Sequence, residues 1–130
     1  MFKRKEEINL STQEIRTLIS VGCIFEGNIT VPEGLTRIDG EIIGNVSGKG
    51  GLIVGEKGFI KGNVDIMEIV IYGRVEGDII AKSVELKTGS RVDGNITTSD
   101  LVIEKGAIYN GQCRMEQVKK GGTSPQRLIF

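Results

Sequence analysis

A five-residue motif, apolar–any–Gly–polar–apolar, returns six times at nearly constant spacing, and this constrains the fold more than any other feature of the chain. The copies are Phe25-Glu26-Gly27-Asn28-Ile29, Ile42-Ile43-Gly44-Asn45-Val46, Ile60-Lys61-Gly62-Asn63-Val64, Val75-Glu76-Gly77-Asp78-Ile79, Val92-Asp93-Gly94-Asn95-Ile96 and the looser Tyr109-Asn110-Gly111-Gln112-Cys113. Their glycines step by 17, 18, 15, 17 and 17 residues, and an overlapping copy, Ile38-Asp39-Gly40-Glu41-Ile42, lies between the first two. A second element keeps the same period. It is a short apolar run without glycine: Leu52-Ile53-Val54, Ile69-Val70-Ile71, Val84-Glu85-Leu86 and Leu101-Val102-Ile103. Two independent features on one period identify a structural repeat.

A unit of 15–18 residues has room for two or three short strands. The alternation inside each copy is that of a strand with one buried face, and the segments are too short and too β-branched for helices. Composition agrees: 19 glycines against two prolines suit many tight corners, and 5% aromatics without Trp leave an aliphatic core. Three strands wound into each turn make a parallel β-helix, with equivalent strands stacked about 4.8 Å apart. This predicts an all-β solenoid of about six coils. One inward column is Phe25, Ile42, Ile60, Val75, Val92 and Tyr109; another is Ile29, Val46, Val64, Ile79, Ile96 and Cys113. The column glycine marks a bend or a close approach of backbones. A left-handed hexapeptide-repeat helix requires apolar residues every six positions, whereas Val75, Val84 and Val92 are nine and eight apart.

Chemistry is conspicuous by what the residue set omits. Without a histidine, serine triads, Cys–His pairs and the commonest general base and metal ligand are excluded. The two cysteines form no CxxC. Gly48-Lys49-Gly50-Gly51 lacks the spacing of a phosphate-binding loop and reads as a plain loop. No enzyme activity, cofactor or metal is therefore expected. Lys and Arg balance Asp and Glu at 17 each, which gives no general attraction to nucleic acid. The polar column Asn28, Asn45, Asn63, Asp78, Asn95 and Gln112 reads as a solvent-facing or side-chain-bonded amide stack rather than a ligand groove or cation ladder. The carboxylates Glu26, Asp39, Glu76 and Asp93 read as a solvated edge. Cys23 and Cys113 fall about five coil steps, roughly 24 Å, apart, too far for a disulfide. Cys113, and Cys23 with it, is expected as a small core hydrophobe. Neither a signal peptide nor a membrane-spanning run is visible, so a cytosolic setting is the expectation.

From about Leu18 to Met115 the sequence resembles the bactofilin family. The resemblance rests on Ile38-Asp39-Gly40-Glu41-Ile42, on Val75-Glu76-Gly77-Asp78-Ile79-Ile80-Ala81-Lys82-Ser83-Val84-Glu85-Leu86, and on Gly106-Ala107-Ile108-Tyr109-Asn110-Gly111-Gln112-Cys113-Arg114-Met115. It implies a right-handed, three-sided β-helix that polymerises without nucleotide into non-polar filaments. It also implies a cytoskeletal scaffold for cell-shape, cell-wall, polar or motility machinery at the inner membrane face, and a membrane-binding N-terminal tail.

The residues can be read beside that resemblance. A solenoid has two open ends, and no cap is evident here. The first coil offers Ile19, Val21, Ile24, Phe25 and Ile29; the last offers Leu101, Ile103, Ile108 and Tyr109. End-to-end stacking through these residues is expected, with Tyr109 singled out by the resemblance. A monomeric adaptor holding one partner on a flat face is the alternative. Residues 1–17 read as a tail in which Phe2, Lys3, Arg4 and Lys5 suit an anionic bilayer, opposed in part by Glu6 and Glu7. Ser11-Thr12-Gln13-Glu14 fits a capping box, so either a short entry helix or a first strand leads into Leu18-Ile19. Residues 116–130 read as a disordered tail ending in the apolar Arg127-Leu128-Ile129-Phe130.

Overall fold

The computed structural model describes residues 14–118, and these contain sixteen strands and no helix. All strand pairings are parallel, each strand pairing with its equivalent in the next coil. Six coils result, each with three faces.

Face 1 stacks β1 (Ile15–Ile19), β4 (Leu35–Ile38), β7 (Gly51–Val54), β10 (Glu68–Ile71) and the second halves of β12 (Ile79–Leu86) and β14 (Ile96–Ile103). Face 2 stacks β2 (Ile24–Glu26), β5 (Glu41–Ile43), β8 (Phe59–Lys61), β11 (Arg74–Glu76), β13 (Arg91–Asp93) and β15 (Ile108–Asn110). Face 3 stacks β3 (Ile29–Val31), β6 (Val46–Gly48), β9 (Val64–Asp65), the first halves of β12 and β14, and β16 (Cys113–Met115). Coil entry takes the strand alternative, β1. Of the proposed capping box, residues 11–13 lie outside the described residues.

The core is the set of inward columns. Both columns read from the sequence are present in register: Phe25 to Tyr109 along face 2, and Ile29 to Cys113 along face 3. Face 1 adds Leu52, Ile69, Val84 and Leu101, and beside them Ile38, Val54, Ile71, Leu86 and Ile103. Within the middle coils these side chains are fully buried and form one continuous aliphatic cluster. Burial on this scale is the main stabilising term, about 1.5–3 kcal/mol for each large aliphatic side chain.

The corner between faces 2 and 3 is the most regular part of the molecule. It is two residues long in every coil, from Gly27-Asn28 to Gly111-Gln112. The glycines stack directly on one another. At Gly62, φ is +155° and a Cβ would overlap the carbonyl oxygen of Gly44, so a side chain there is excluded twice over. The polar residue that follows completes the corner. The Asn28 Oδ1 accepts the Asn45 N–H at 3.1 Å, Asn45 accepts that of Asn63 at 2.9 Å, and Asn63 accepts that of Asp78 at 3.0 Å. Asp78 and Asn95 continue the ladder to Asn95 and Gln112 at 3.0 and 3.2 Å. Each side chain supplies the acceptor that a backbone amide lacks at a bend. The expected amide stack is thus a chain of side chain-to-backbone bonds.

The other two corners vary. Between faces 1 and 2 the chain spends four residues at 20–23, 55–58, 87–90 and 104–107, but two at Asp39-Gly40 and Tyr72-Gly73. The 15-residue step in the sequence arises where that corner shortens to Tyr72-Gly73 and β9 is two residues long.

Candidate functional site: the two open end coils

Inside the solenoid each strand has a neighbour on both sides. Among the described residues the end strands lack one neighbour, and their sequence does not change to compensate. Ile103 closes the column of Ile71 and Leu86, which are fully buried, yet it is 44% exposed. Leu101 and Tyr109 end their columns partly buried on the core, and Tyr109 is tied down by donating its hydroxyl to the Gln112 carbonyl at 2.7 Å. Burial raises the Tyr109 phenol above its ordinary pKa, with the neighbouring Cys113 thiol adding to the effect. At the first coil Ile19, Phe25 and Ile29 are partly buried in the same way.

The predicted interface residues therefore divide into three groups. Phe25, Leu101, Ile103 and Tyr109 lie on the open end faces. Ile24 and Ile108 face outward on face 2, in the row shared with Glu41, Phe59, Arg74 and Arg91, so they form the rims of the two ends. Ile24 is 63% exposed. Val21 stands on the four-residue turn between β1 and β2 and is 62% exposed. Sequence reasoning missed Met115, 54% exposed beside Cys113 on the last strand, and Ile15 and Leu18, exposed on the first. Their signal was available: apolar residues in the first and last repeats, without polar substitution.

Two expectations need correction. Cys113 is exposed, not a core residue, because among the described residues no further coil lies over the column it terminates; Cys23 is exposed on the turn before β2. Asp39 does not share a corner with Glu26, Glu76 and Asp93. It sits between faces 1 and 2, held by Arg37 at 2.9 Å, while the other three end the strands of face 2.

Of the carboxylates read as a solvated edge, Asp39, Glu76 and Asp93 each pair with an arginine, and Glu104 is likewise partnered. Asp93 is held below the usual carboxylate range by its hydrogen bond from Arg91 at 3.0 Å and by a second from Asn110 at 2.9 Å. Glu76 pairs with Arg74. Glu104 is lowered by the Thr88 amide, which it accepts at 2.9 Å, with Lys87 adding to it. Among the described residues no cluster of three or more acidic or thiol side chains could hold a metal ion. No helix among them is long and apolar enough to cross a membrane. Phe2, Lys3, Arg4 and Lys5 lie outside the described residues.

The six-coil parallel solenoid is a shape shared with known proteins. The sequence profile of the family described as "Bactofilin: Polymer-forming cytoskeletal" matches residues 17–114. The chain belongs to the bactofilin family. Bactofilin BacO of Myxococcus xanthus (strain DK1622) is 32% identical over 111 residues, covering 85% of this chain and 87% of that protein. The solid-state NMR structure of the cytoskeletal bactofilin BacA superposes with a TM-score of 0.70 at 37% identity, covering 78% of this chain and 97% of that one. The cryo-EM reconstruction of Thermus thermophilus bactofilin double helical filaments gives a TM-score of 0.74 at 29% identity, covering 77% and 99%. These bactofilins share the all-β solenoid, and the family is cytoskeletal and polymer-forming.

Proposed function

We propose that this bactofilin polymerises end to end, without nucleotide, into non-polar filaments that act as a scaffold at the inner face of the cell membrane. The observation that carries this reading is the pair of end coils, which have no cap among the described residues and where inward columns running through a sealed core stop at exposed Ile103 and Cys113 and at half-buried Phe25 and Tyr109. Stacking a second subunit on such a face buries apolar surface and pairs the free strand edges of β14, β15 and β16. In a like-to-like contact the same patch meets itself, the filament alternates two kinds of junction, and it has no polarity. Cell-shape, cell-wall, polar or motility proteins are the partners such a scaffold would position.

Electron microscopy of the wild type beside Tyr109→Arg, without nucleotide or divalent metal, tests the interface. Filaments are expected for the wild type and, for the variant, a folded dimer joined through the first-coil junction alone, because a charge buried at the last-coil junction is costly. A wild type that stays monomeric at high concentration refutes the proposal. The native thiols then report polarity. Oxidised filaments should contain Cys113–Cys113 and Cys23–Cys23 links, whereas a Cys23–Cys113 link means head-to-tail order.

The basic, aromatic start of the chain supports membrane association, since many tails on one filament act together. Filaments should pellet with anionic vesicles, and replacing Lys3, Arg4 and Lys5 by alanine should abolish this. Equal pelleting of the variant counts against a membrane role for the tail.

A further inference from the structure

Face 1 breaks the rule that outward positions of a solvated sheet are polar. Ile53, Val70 and Val102 lie in one outward row that spans four coils, with Glu85 between Val70 and Val102, and Tyr72 stands next to them at the corner. They line an open groove of about 510 Å³, with Ile53 at its floor, only 3% exposed. The groove is also acidic. Glu68, Glu85 and Asp100 border it, and its one cation, Lys87, is held by Glu85 at 2.7 Å and by Glu104 at 3.4 Å. Among the described residues Glu68 forms no ion pair.

The mixture selects a segment that is both apolar and positively charged. A second copy packed face to face is disfavoured, because a two-fold contact would set these carboxylates against each other. The chain carries a better match. Residues 119–130 include Lys119, Lys120, Arg127 and Leu128-Ile129-Phe130, and no acidic residue. They also start beside the groove. Val118 is buried and donates its N–H to Ser99 Oγ at 2.7 Å, and Ser99 immediately precedes the groove residue Asp100. From the sixth coil to Ile53 in the third is three coil steps, about 14 Å. Eight extended residues, 119–126, reach roughly 26 Å.

We propose that the C-terminal segment folds back along face 1 of its own chain, placing Leu128-Ile129-Phe130 on Ile53, Val70 and Tyr72, with its cations opposite Glu68, Glu85 and Asp100. The segment then lies on the side of the solenoid and leaves the last coil free to stack.

The test is photo-crosslinking of the full chain with benzoylphenylalanine in place of Phe130, using a mixture of isotopically labelled and unlabelled protein. The expected product joins position 130 to the stretch 53–72 within one chain. Val70→Glu should reduce it about tenfold by burying a carboxylate in the contact. Should Val70→Glu fail to fold, Glu68→Lys, which changes an exposed side chain, should still reduce the product about threefold. Crosslinks to Leu101, Ile103 or Tyr109 would mean that the segment covers the end coil and would overturn the proposal. Links between labelled and unlabelled chains would overturn it in favour of a neighbouring copy. Absence of any crosslink, or a yield unchanged in both variants, would also overturn it.

Discussion

In the third coil Ile60 and Val64 are sealed by a coil on each side, whereas in the sixth Tyr109 and Cys113 hold the same two columns with one side open. The motif around them is nearly the same. What differs is whether another coil follows among the described residues. Burial in a solenoid is therefore a property of the stack rather than of the repeat, and an end coil behaves as an interior coil awaiting its neighbour.

The largest expected effect breaks this comparison at the glycine corner. Gly62 lies on Gly44, whereas among the described residues no coil lies beneath Gly27, and a Cβ added there would meet nothing nearer than the Phe25 ring at 3.7 Å. Gly62→Ala should destabilise the subunit by more than about 3 kcal/mol, combining overlap and backbone strain. Gly27→Ala, at φ +134°, should cost about 1–2 kcal/mol from strain alone. Urea unfolding in the Tyr109→Arg background measures both. Equal losses would show that strain, not stacking, dominates the corner.

Next in size is the core. Ile60→Ala removes a fully buried side chain and should cost about 2–5 kcal/mol. Ile103→Ala should cost the isolated subunit about 1 kcal/mol or less, yet raise the concentration needed for assembly roughly tenfold. Sedimentation across a dilution series reads the second quantity. Equal destabilisation of the isolated subunit by the two variants would mean that the end is not open.

The smallest effect sharpens the contrast along the polar ladder. Asn63→Ala orphans the Asp78 amide and should cost about 1–2 kcal/mol. Gln112 stands at the top, where no coil among the described residues presents an amide above it, and Gln112→Ala should stay within about 0.5 kcal/mol. A large loss at Gln112 would point to a role for its side chain within the last coil.

The repeat made the columns legible because one glycine period fixes which residues stack. Val46 over Ile29 and Val92 over Val75 follow from counting alone. Counting does not say where a stack ends, which is why Cys113 looked like core and is exposed. Nor does it give the corners their lengths, because Lys82 and Ser99 pass through continuous strands while Pro32–Gly34 makes a three-residue turn. The groove on face 1 was partly visible. Val84-Glu85-Leu86 alternates as a one-sided strand should, and Leu52-Ile53-Val54, Ile69-Val70-Ile71 and Leu101-Val102-Ile103 do not. Their middle residues were a signal of an outward apolar row. Thr36 was not legible: it is buried in a core position with its hydroxyl unpartnered, and the structure offers no reason for it.

The two-residue glycine–polar seam sets the phase of every turn. Extra or missing residues at the other corners are absorbed before the chain returns to it, so an 18-residue coil and a 15-residue coil deliver their next strand to the same angular position. Errors of length do not accumulate along the axis. The first and last coils consequently face the same way regardless of what is inserted between them, and a sequence can drift at two corners of its cross-section while the geometry it presents to a neighbouring subunit stays fixed.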